Sequence, residues 1–584
     1  MKVSDYVTQF LASHAIDKVF GYVGGNNAHL LDSIDKHPDM EVINARHEQG
    51  AGFAAEGYAR ATGKTGVATV TSGPGGTNLV TPIASCFLDS VPSLFIVGDI
   101  NSFERDPSKG MRQIGFQDVD IANIVKPITK HAIFIQDLHQ LRYELEKAYY
   151  LSQEGRKGPT LIAIPVNLQY EQEYDPSQER SFFESDEYRS LQEKHPPAIE
   201  EATIQKVVQL IHNAKRPLIL IGNGVRLSHS IEQLNQLLQT TQIPTVHSLI
   251  GKDAITADYP YNLGFIGSWG NRYGNLTLAN ADLILALGTR LDTLQTGRNI
   301  KSFARDATIV QVDIDPSELG KRISIDLPIF GDVQKFLKQL NCYELHTSID
   351  AWHTKVLSYK EQYPHTSEIN QKEKRGNQIL SIISKHSKES DIFTIDVGEH
   401  QMLSAQSLQM KEGQRVLFTG GLGSMGFALP AAIGATLGTK QRAIVIAGDG
   451  GFQMNIQELE VIHHRQLPIK IFILNNACLY MVTQMQDIFL EGKHVATKED
   501  YSAPNFHKIA EAYGLKTSKI SADDTAIEST IQSALESNTS ELIEIMITGE
   551  MMCVTPRLDY SRPFEDMSPY LDKEILQSHM NHKV

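Results

Sequence analysis

Cysteine is scarce: the four in 584 residues, Cys86, Cys342, Cys478 and Cys553, lie far apart and form no CxxC pair. That spacing excludes a disulfide framework and a cysteine-built zinc site. Positive charge is also in deficit. With Lys+Arg 54 against Asp+Glu 69 the formal net charge is -15, the wrong sign for gripping nucleic acid or an anionic membrane. No apolar run is long enough to cross a bilayer, and the amphipathic start, MKVSDYVTQFLASHAIDKVF, lacks the long apolar core of a signal peptide. The expectation is a cytoplasmic enzyme that works on small molecules, with neither nucleic acid nor membrane as partner.

What is present is a chain of globular composition, 41% hydrophobic and 21% charged, long enough for several cores. Short apolar runs alternate with helical patterns. In residues 1–170 the runs are 18–23, 41–45, 66–71, 94–97 and 161–164; in residues 198–342 they are 218–221, 245–247, 283–287 and 309–314. Polar stretches at 170–197 and 343–372 separate these units from a third, residues 373–550. A tail, 551–584, is rich in Pro, Asp and aromatic residues and is expected to drape over a surface. The fold class is α/β, with three doubly wound parallel-sheet domains.

One stretch organises the rest: residues 447–476, AGDGGFQMNIQELEVIHHRQLPIKIFILNN. Gly448-Asp449-Gly450 follows one apolar run and Asn475-Asn476 closes the next, with helical spacing at Ile456, Leu459 and Ile462 between them. Both motifs therefore sit at the carboxyl ends of parallel strands, the edge at which α/β sheets bind ligands. Gly450 and Gly451 let backbone approach a diphosphate at the helix N-terminus. Asp449 and Asn476 offer hard oxygen ligands, suited to Mg²⁺ or Ca²⁺ held against phosphate oxygens.

GDG followed by NN in one strand-helix-strand unit resembles the fingerprint of thiamine-diphosphate (ThDP) enzymes. The order of motifs along the whole chain is similar to the FAD-containing acetolactate synthase branch. The resemblance implies a pyrimidine-binding domain, a central FAD-binding domain and a diphosphate- and Mg²⁺-binding domain, in that order. It assigns the metal to Asp449, Asn476 and the main chain of Cys478. In RHEQGAGFAAEGYAR it makes Glu48 the catalytic carboxyl, which shares a proton with the cofactor's pyrimidine N1'. A mostly apolar pocket favours the neutral carboxyl that this exchange needs.

The loop TSGPGGTN is by itself a tight glycine turn after a strand; the resemblance implies that it lies by the cofactor pyrimidine, with Asn78 a candidate beside that carboxyl. In VGEHQM, Gly398, Glu399 and His400 are expected at the diphosphate, although Glu399 stands where the family has Gln and cannot donate a hydrogen bond. In GGLGSMG the Gly423 carbonyl is expected to accept from the 4'-amino group, and Met425 to act as the apolar wedge under the bent cofactor. The central domain has no GxGxxG, but LGTRLDTLQTG, VDIDPSELG and the Gly331-Asp332-Val333 turn resemble FAD-binding segments. They implicate Arg290, Asp315 and Asp332, with Arg156 of GRKGPT as a further contact. The alternative for this domain is a fold that has lost its flavin.

Departures cluster on the substrate side. Met485 replaces a Trp associated with larger 2-oxo acid acceptors, in a run that begins Tyr480-Met481. Pro165-Val166-Asn167 lacks a Lys, Tyr22-Val23-Gly24 loses a Pro, and Trp269 stands where His is common; Phe116-Gln117 is retained. Tyr22, Phe116, Gln117, Met481 and Met485 are the expected substrate contacts. No His occurs between Asp99 and Asp120, against a simple decarboxylase that protonates its product there.

The implied reaction is decarboxylation of pyruvate and transfer of the two-carbon unit to a carbonyl acceptor. That acceptor is either a second 2-oxo acid or a bulkier ketone such as a nucleotide-linked keto sugar. A flavin-linked oxidase or a simple decarboxylase is the alternative. The implied assembly is a homodimer or homotetramer with sites shared between chains.

Overall fold

The computed structural model describes residues 1–105, 110–367, 375–547 and 562–580. The boundaries drawn near 373 and at 550–551 lie outside these residues. Among the described residues the strands form three six-stranded sheets, every pairing within them parallel. The first domain holds β1 (Lys18–Gly21), β2 (Glu41–Asn44), β3 (Gly66–Thr71), β4 (Ser93–Asp99), β5 (His131–Phe134) and β6 (Pro159–Pro165) in the order β2-β1-β3-β4-β6-β5. Its central strands β3, β4 and β6 are buried at every position, as strands covered by helices on both faces must be.

The middle sheet runs β12-β11-β10-β7-β8-β9. Its members are β7 (Pro217–Ile221), β8 (Thr245–His247), β9 (Asn262–Phe265), β10 (Leu283–Leu287), β11 (Thr308–Asp313) and β12 (Leu327–Phe330). The third, β14-β13-β15-β16-β18-β17, comprises β13 (Ile392–Ile395), β14 (Arg415–Phe418), β15 (Ala443–Gly448), β16 (Ile469–Asn475), β17 (Lys516–Ser521) and β18 (Glu541–Met546). Each sheet reverses its winding at an interior pair, between β1 and β3, between β7 and β10, and between β13 and β15; the first and third sheets also place their last strand, β6 or β18, inside the one before it. Those crevices are where such sheets take ligands.

Two segments that composition marks as loose are anchored. In 170–197, Phe182 is fully buried among Tyr143, Tyr150 and Tyr188, and Glu146 accepts hydrogen bonds from the Ser181 hydroxyl and the Phe182 amide. In 343–372, the Asp350–Gln362 helix puts Trp352, Val356 and Tyr359 into the middle-domain core. The described part of the tail, 562–580, lies on that same core through Phe564, Leu571, Leu576 and Met580.

The first and third domains meet along two helices, Glu48–Thr62 and Ala428–Thr439. Small residues make the approach possible: a Cβ on Gly57 would collide with Ala431 backbone, and one on Gly434 with the Ala54 carbonyl. Gly434→Ala should therefore drive the two helices apart, an overpacking cost of about 1–3 kcal/mol. The apparent thermal midpoint should fall by several degrees. Gly25→Ala, where a Cβ meets nothing within 4 Å, is the control and should leave it unchanged.

Candidate functional site

At the switch point of the third sheet, three strand ends converge. After β13 comes Asp396, fully buried, whose carboxylate accepts hydrogen bonds from the amides of Val397 (2.7 Å), Gly426 (3.0 Å) and Ala428 (3.3 Å). A Cβ on Gly451 would sit 2.8 Å from the same carboxylate. Asp396 thus ties together the VGEH, GSMG and GDGG segments. Burial pushes its pKa up to about 6.

Gly398 precedes the Glu399–Ser407 helix, and the His400 ring lies over the Gly398 and Gly448 backbones, where a side chain at either glycine would collide with it. His400 is buried, its pKa is pushed down to about 3, and its Nε2 has no hydrogen-bond partner among the described residues. A neutral imidazole with a spare nitrogen thus lies beside the Gly448-Asp449 turn.

Asp449 begins a short helical turn, Asp449–Phe452, that includes Gly450 and Gly451. Burial raises its pKa, while the Tyr501 hydroxyl donates to Oδ2 at 2.8 Å and favours the ion. Asn476 follows β16; its Oδ1 accepts from the Cys478 amide at 3.2 Å and its Nδ2 donates to Glu399 Oε2 at 3.4 Å. Glu399 therefore turns toward Asn476, where a carboxylate finds a donor. Among the described residues no three of His, Cys, Asp and Glu cluster as a metal site. The expected set differs in kind: one carboxylate, an amide oxygen and a main-chain carbonyl. Gly423 is at φ +69° with open space where a Cβ would stand, and the Met425 methyl is 3.4 Å from the Cβ position of Gly450.

In the first domain Glu48 opens its helix, is 9% exposed, and receives a hydrogen bond from Asn78 Nδ2 at 2.9 Å. The approach to it is held by the third domain of the same chain. Glu458 Oε1 accepts the Arg46 amide at 3.0 Å, and Asn455 Nδ2 donates both to Gln49 Oε1 (3.1 Å) and to the Gly426 carbonyl (2.7 Å). Burial pushes the Glu458 pKa up to about 7.

The expected substrate residues are dispersed. Tyr22 and Gln117 stay near the β1 and β3 ends, Gln117 against Gly73; Met481 packs on the third-domain core; Phe116 and Met485 project outward, 87% and 58% exposed.

A cavity of about 430 Å³ opens at the middle-sheet switch point. Arg156, Arg290 and Asp332 line it, as do Asp313, Glu318 and Trp269. Asp315 does not; it pairs with Arg156 at 3.0 Å, and Arg156 also bonds Glu318 at 2.6 Å. Asp313, two residues earlier, faces the space, its pKa pushed up to about 6 by burial. Asp332 caps the Val333–Leu340 helix through the Lys335 amide at 3.0 Å. Gly222 and Gly224 press on the Gly288 backbone, bringing both loops to the wall. The Trp269 indole N–H and Arg290 Nε have no hydrogen-bond acceptor among the described residues.

Asp396, Glu458 and Tyr501 were not singled out from sequence. Asp396 had a readable signal, a carboxylate directly after the apolar run of β13. Glu458 and Tyr501 reach their partners only through the tertiary fold.

Comparison with known proteins agrees with the three-domain fold. Residues 1–124, 204–340 and 396–545 match, respectively, the families described as thiamine pyrophosphate enzyme N-terminal TPP binding domain, central domain and C-terminal TPP binding domain. The chain is 35% identical over 560 residues to an acetolactate synthase large subunit of Lactococcus lactis, covering 93% of this chain and 92% of that protein. It is 33% identical to a probable acetolactate synthase large subunit of Methanococcus aeolicus (100% of this chain, 97% of that protein) and to acetolactate synthase 2, chloroplastic, of Nicotiana tabacum (97% and 85%). With all three domains in order and relatives aligned along nearly the whole length, the chain belongs to the thiamine-diphosphate enzymes, on their acetolactate synthase-like branch.

Proposed function

We propose that the chain binds ThDP, Mg²⁺ and FAD, decarboxylates pyruvate, and transfers the two-carbon unit to a carbonyl acceptor. The observation that carries this reading is the convergence, at one switch point, of Asp449, Asn476 and the neutral His400 with a glycine turn that opens a helical segment. The residues fit the cofactor. Asp449 Oδ, Asn476 Oδ1 and the Cys478 carbonyl would hold Mg²⁺, the amides of the GDGG turn and, with a proton on Nε2, His400 would meet phosphate oxygens, and Met425 would support the rings from below. ThDP, once bound, supplies the electron sink that lets a 2-oxo acid lose CO₂.

The chain's own contribution is to place a proton. Glu48, buried and oriented by Asn78, would exchange it with the pyrimidine N1'. The flavin cavity fits a dinucleotide as well, since Arg156 and Arg290 line it, both ion-paired with Glu318, and the Trp269 indole N–H there has no hydrogen-bond acceptor among the described residues. On the acceptor side, the exposed Met485 in place of a Trp leaves room for an acceptor bulkier than pyruvate. A product screen of pyruvate against 2-oxo acids and keto sugars distinguishes the acceptors; bleaching of the flavin by pyruvate without oxygen would identify an oxidase instead.

Assembly follows from the same parts. The exposed Phe103, Phe116, Phe489 and Leu490 lie in segments that follow β4 and β16, where a second copy would cover them. Such a dimer pairs the Glu48 half of one chain with the Asp449 half of another.

Glu48→Gln should bind ThDP yet lose roughly 10²–10⁴-fold in rate, because an amide hydrogen-bonds N1' without delivering a proton. The exchange rate of the cofactor C2 proton reads this directly, and an unchanged rate refutes the role. Asp449→Ala should release the metal and with it the diphosphate, abolishing activity; wild-type ThDP affinity in this variant would exclude the GDG turn from the site. Mixing the two inactive variants should restore activity at one site per hybrid dimer. Verified hybrids that stay inactive would place both halves of a site in a single chain.

A further inference from the structure

Asp89 ends the Val80–Asp89 helix of the first domain and is 2% exposed. Its two carboxylate oxygens accept the amides of Gly421 (2.7 Å, Oδ1) and Gly420 (2.9 Å, Oδ2), the start of the third-domain segment that continues to Gly423 and Met425. Arg60 braces the contact from below. Its Nη1 is 2.7 Å from the Phe418 carbonyl, 3.2 Å from Glu56 and 3.6 Å from Asp89.

On the other side, the Leu88 carbonyl accepts from Arg290 Nη1 at 3.3 Å, and Leu88, Asp89, Arg290, Gly420 and Gly421 all line the 430 Å³ cavity. Gly421 leaves no slack, since a Cβ there would lie 2.6 Å from Leu88 Cβ and 2.9 Å from Asp89 Oδ1. One carboxylate therefore joins the wall of the flavin cavity to the backbone that leads into the pyrimidine segment.

We propose that Asp89 is a positioning residue that couples the two cofactor sites, so that a flavin ordering the Arg290–Leu88–Asp89 wall also sets the Gly420–Met425 segment for ThDP. This inference rests on the reading of the cavity as a flavin site. The Asp89 carboxylate is buried and grips two successive amides at 2.7 and 2.9 Å, so a shift of the Leu88–Asp89 turn carries the Gly420–Gly421 backbone with it. The coupling is reciprocal by linkage: each cofactor tightens the other's binding by the same factor.

The test is calorimetric titration of the full-length protein with ThDP and Mg²⁺, with and without saturating FAD. In the wild type FAD should tighten ThDP by roughly fivefold or more, the lower end of usual site-site coupling. Asp89→Asn replaces one accepting oxygen by a donor facing an amide. It should bind each cofactor alone, with the FAD effect on ThDP reduced to less than twofold.

Gly421→Ala perturbs the same contact from the third-domain side and should also uncouple, which keeps the test open if Asp89→Asn fails to fold. Wild-type coupling retained in a folded variant, or no coupling in the wild type, overturns the proposal. A wild type that binds neither ThDP nor FAD refutes the functional reading itself.

Discussion

Amides at the ends of parallel strands and the starts of helices have no partner in the sheet or the helix, and in a closed interior no water reaches them. In this protein buried carboxylates take up much of that demand. Asp396 satisfies amides on two segments and abuts a third, Asp89 satisfies two amides from another domain, and Glu458 satisfies the turn that leads to Glu48. The loops that would hold the cofactor are therefore tied to one another rather than to solvent. Their geometry is preset by these bonds, and at the buried amides of Gly426 and Ala428 a lost bond would leave an unsatisfied donor, at about 1–3 kcal/mol each.

This arrangement explains what the sequence made legible. The buried central strands are continuous apolar runs, and the glycine and asparagine motifs at their carboxyl ends carry their own chemistry. β15, β16 and the GDG and NN turns are readable without a fold. In the first two domains the strands left unassigned are β5, β9 and β12, each a four-residue strand at a sheet edge with at most two buried positions. The Asp350–Gln362 helix was hidden because its outward face is polar, and only packing reveals that Trp352 and Tyr359 point inward.

The site divides along the same line. The residues proposed to touch a cofactor belong to short motifs, so Asp449, Asn476 and Glu48 stand out. Residues that hold those motifs in place act across hundreds of positions, as Glu458 does on Arg46, and have no local pattern. Asp315 shows the limit from the other side: the VDID motif places an acidic cluster correctly at the end of β11, but which carboxylate faces the cavity depends on Arg156, a side chain from another domain.

The carboxylates that set the geometry also set a pH dependence. Burial raises Asp396 to about 6, and Glu56 and Glu458 to about 7, each above its value in the unfolded chain. For an acid shifted upward, the folded state holds its proton when the unfolded state has lost it. Stability from these groups is complete below about pH 4 and declines as pH rises through 6 to 7, the reverse of a salt-bridged carboxylate. Near neutrality these groups are poised between an acceptor-only carboxylate, which suits the amide donors, and a neutral acid, which suits the dry interior. Arg60 offsets part of the cost for Glu56 and Asp89, whereas Asp396 is stabilised by amides alone. The group that organises the most loops is thus the one with no cation beside it, held as an ion only by the amides it ties together.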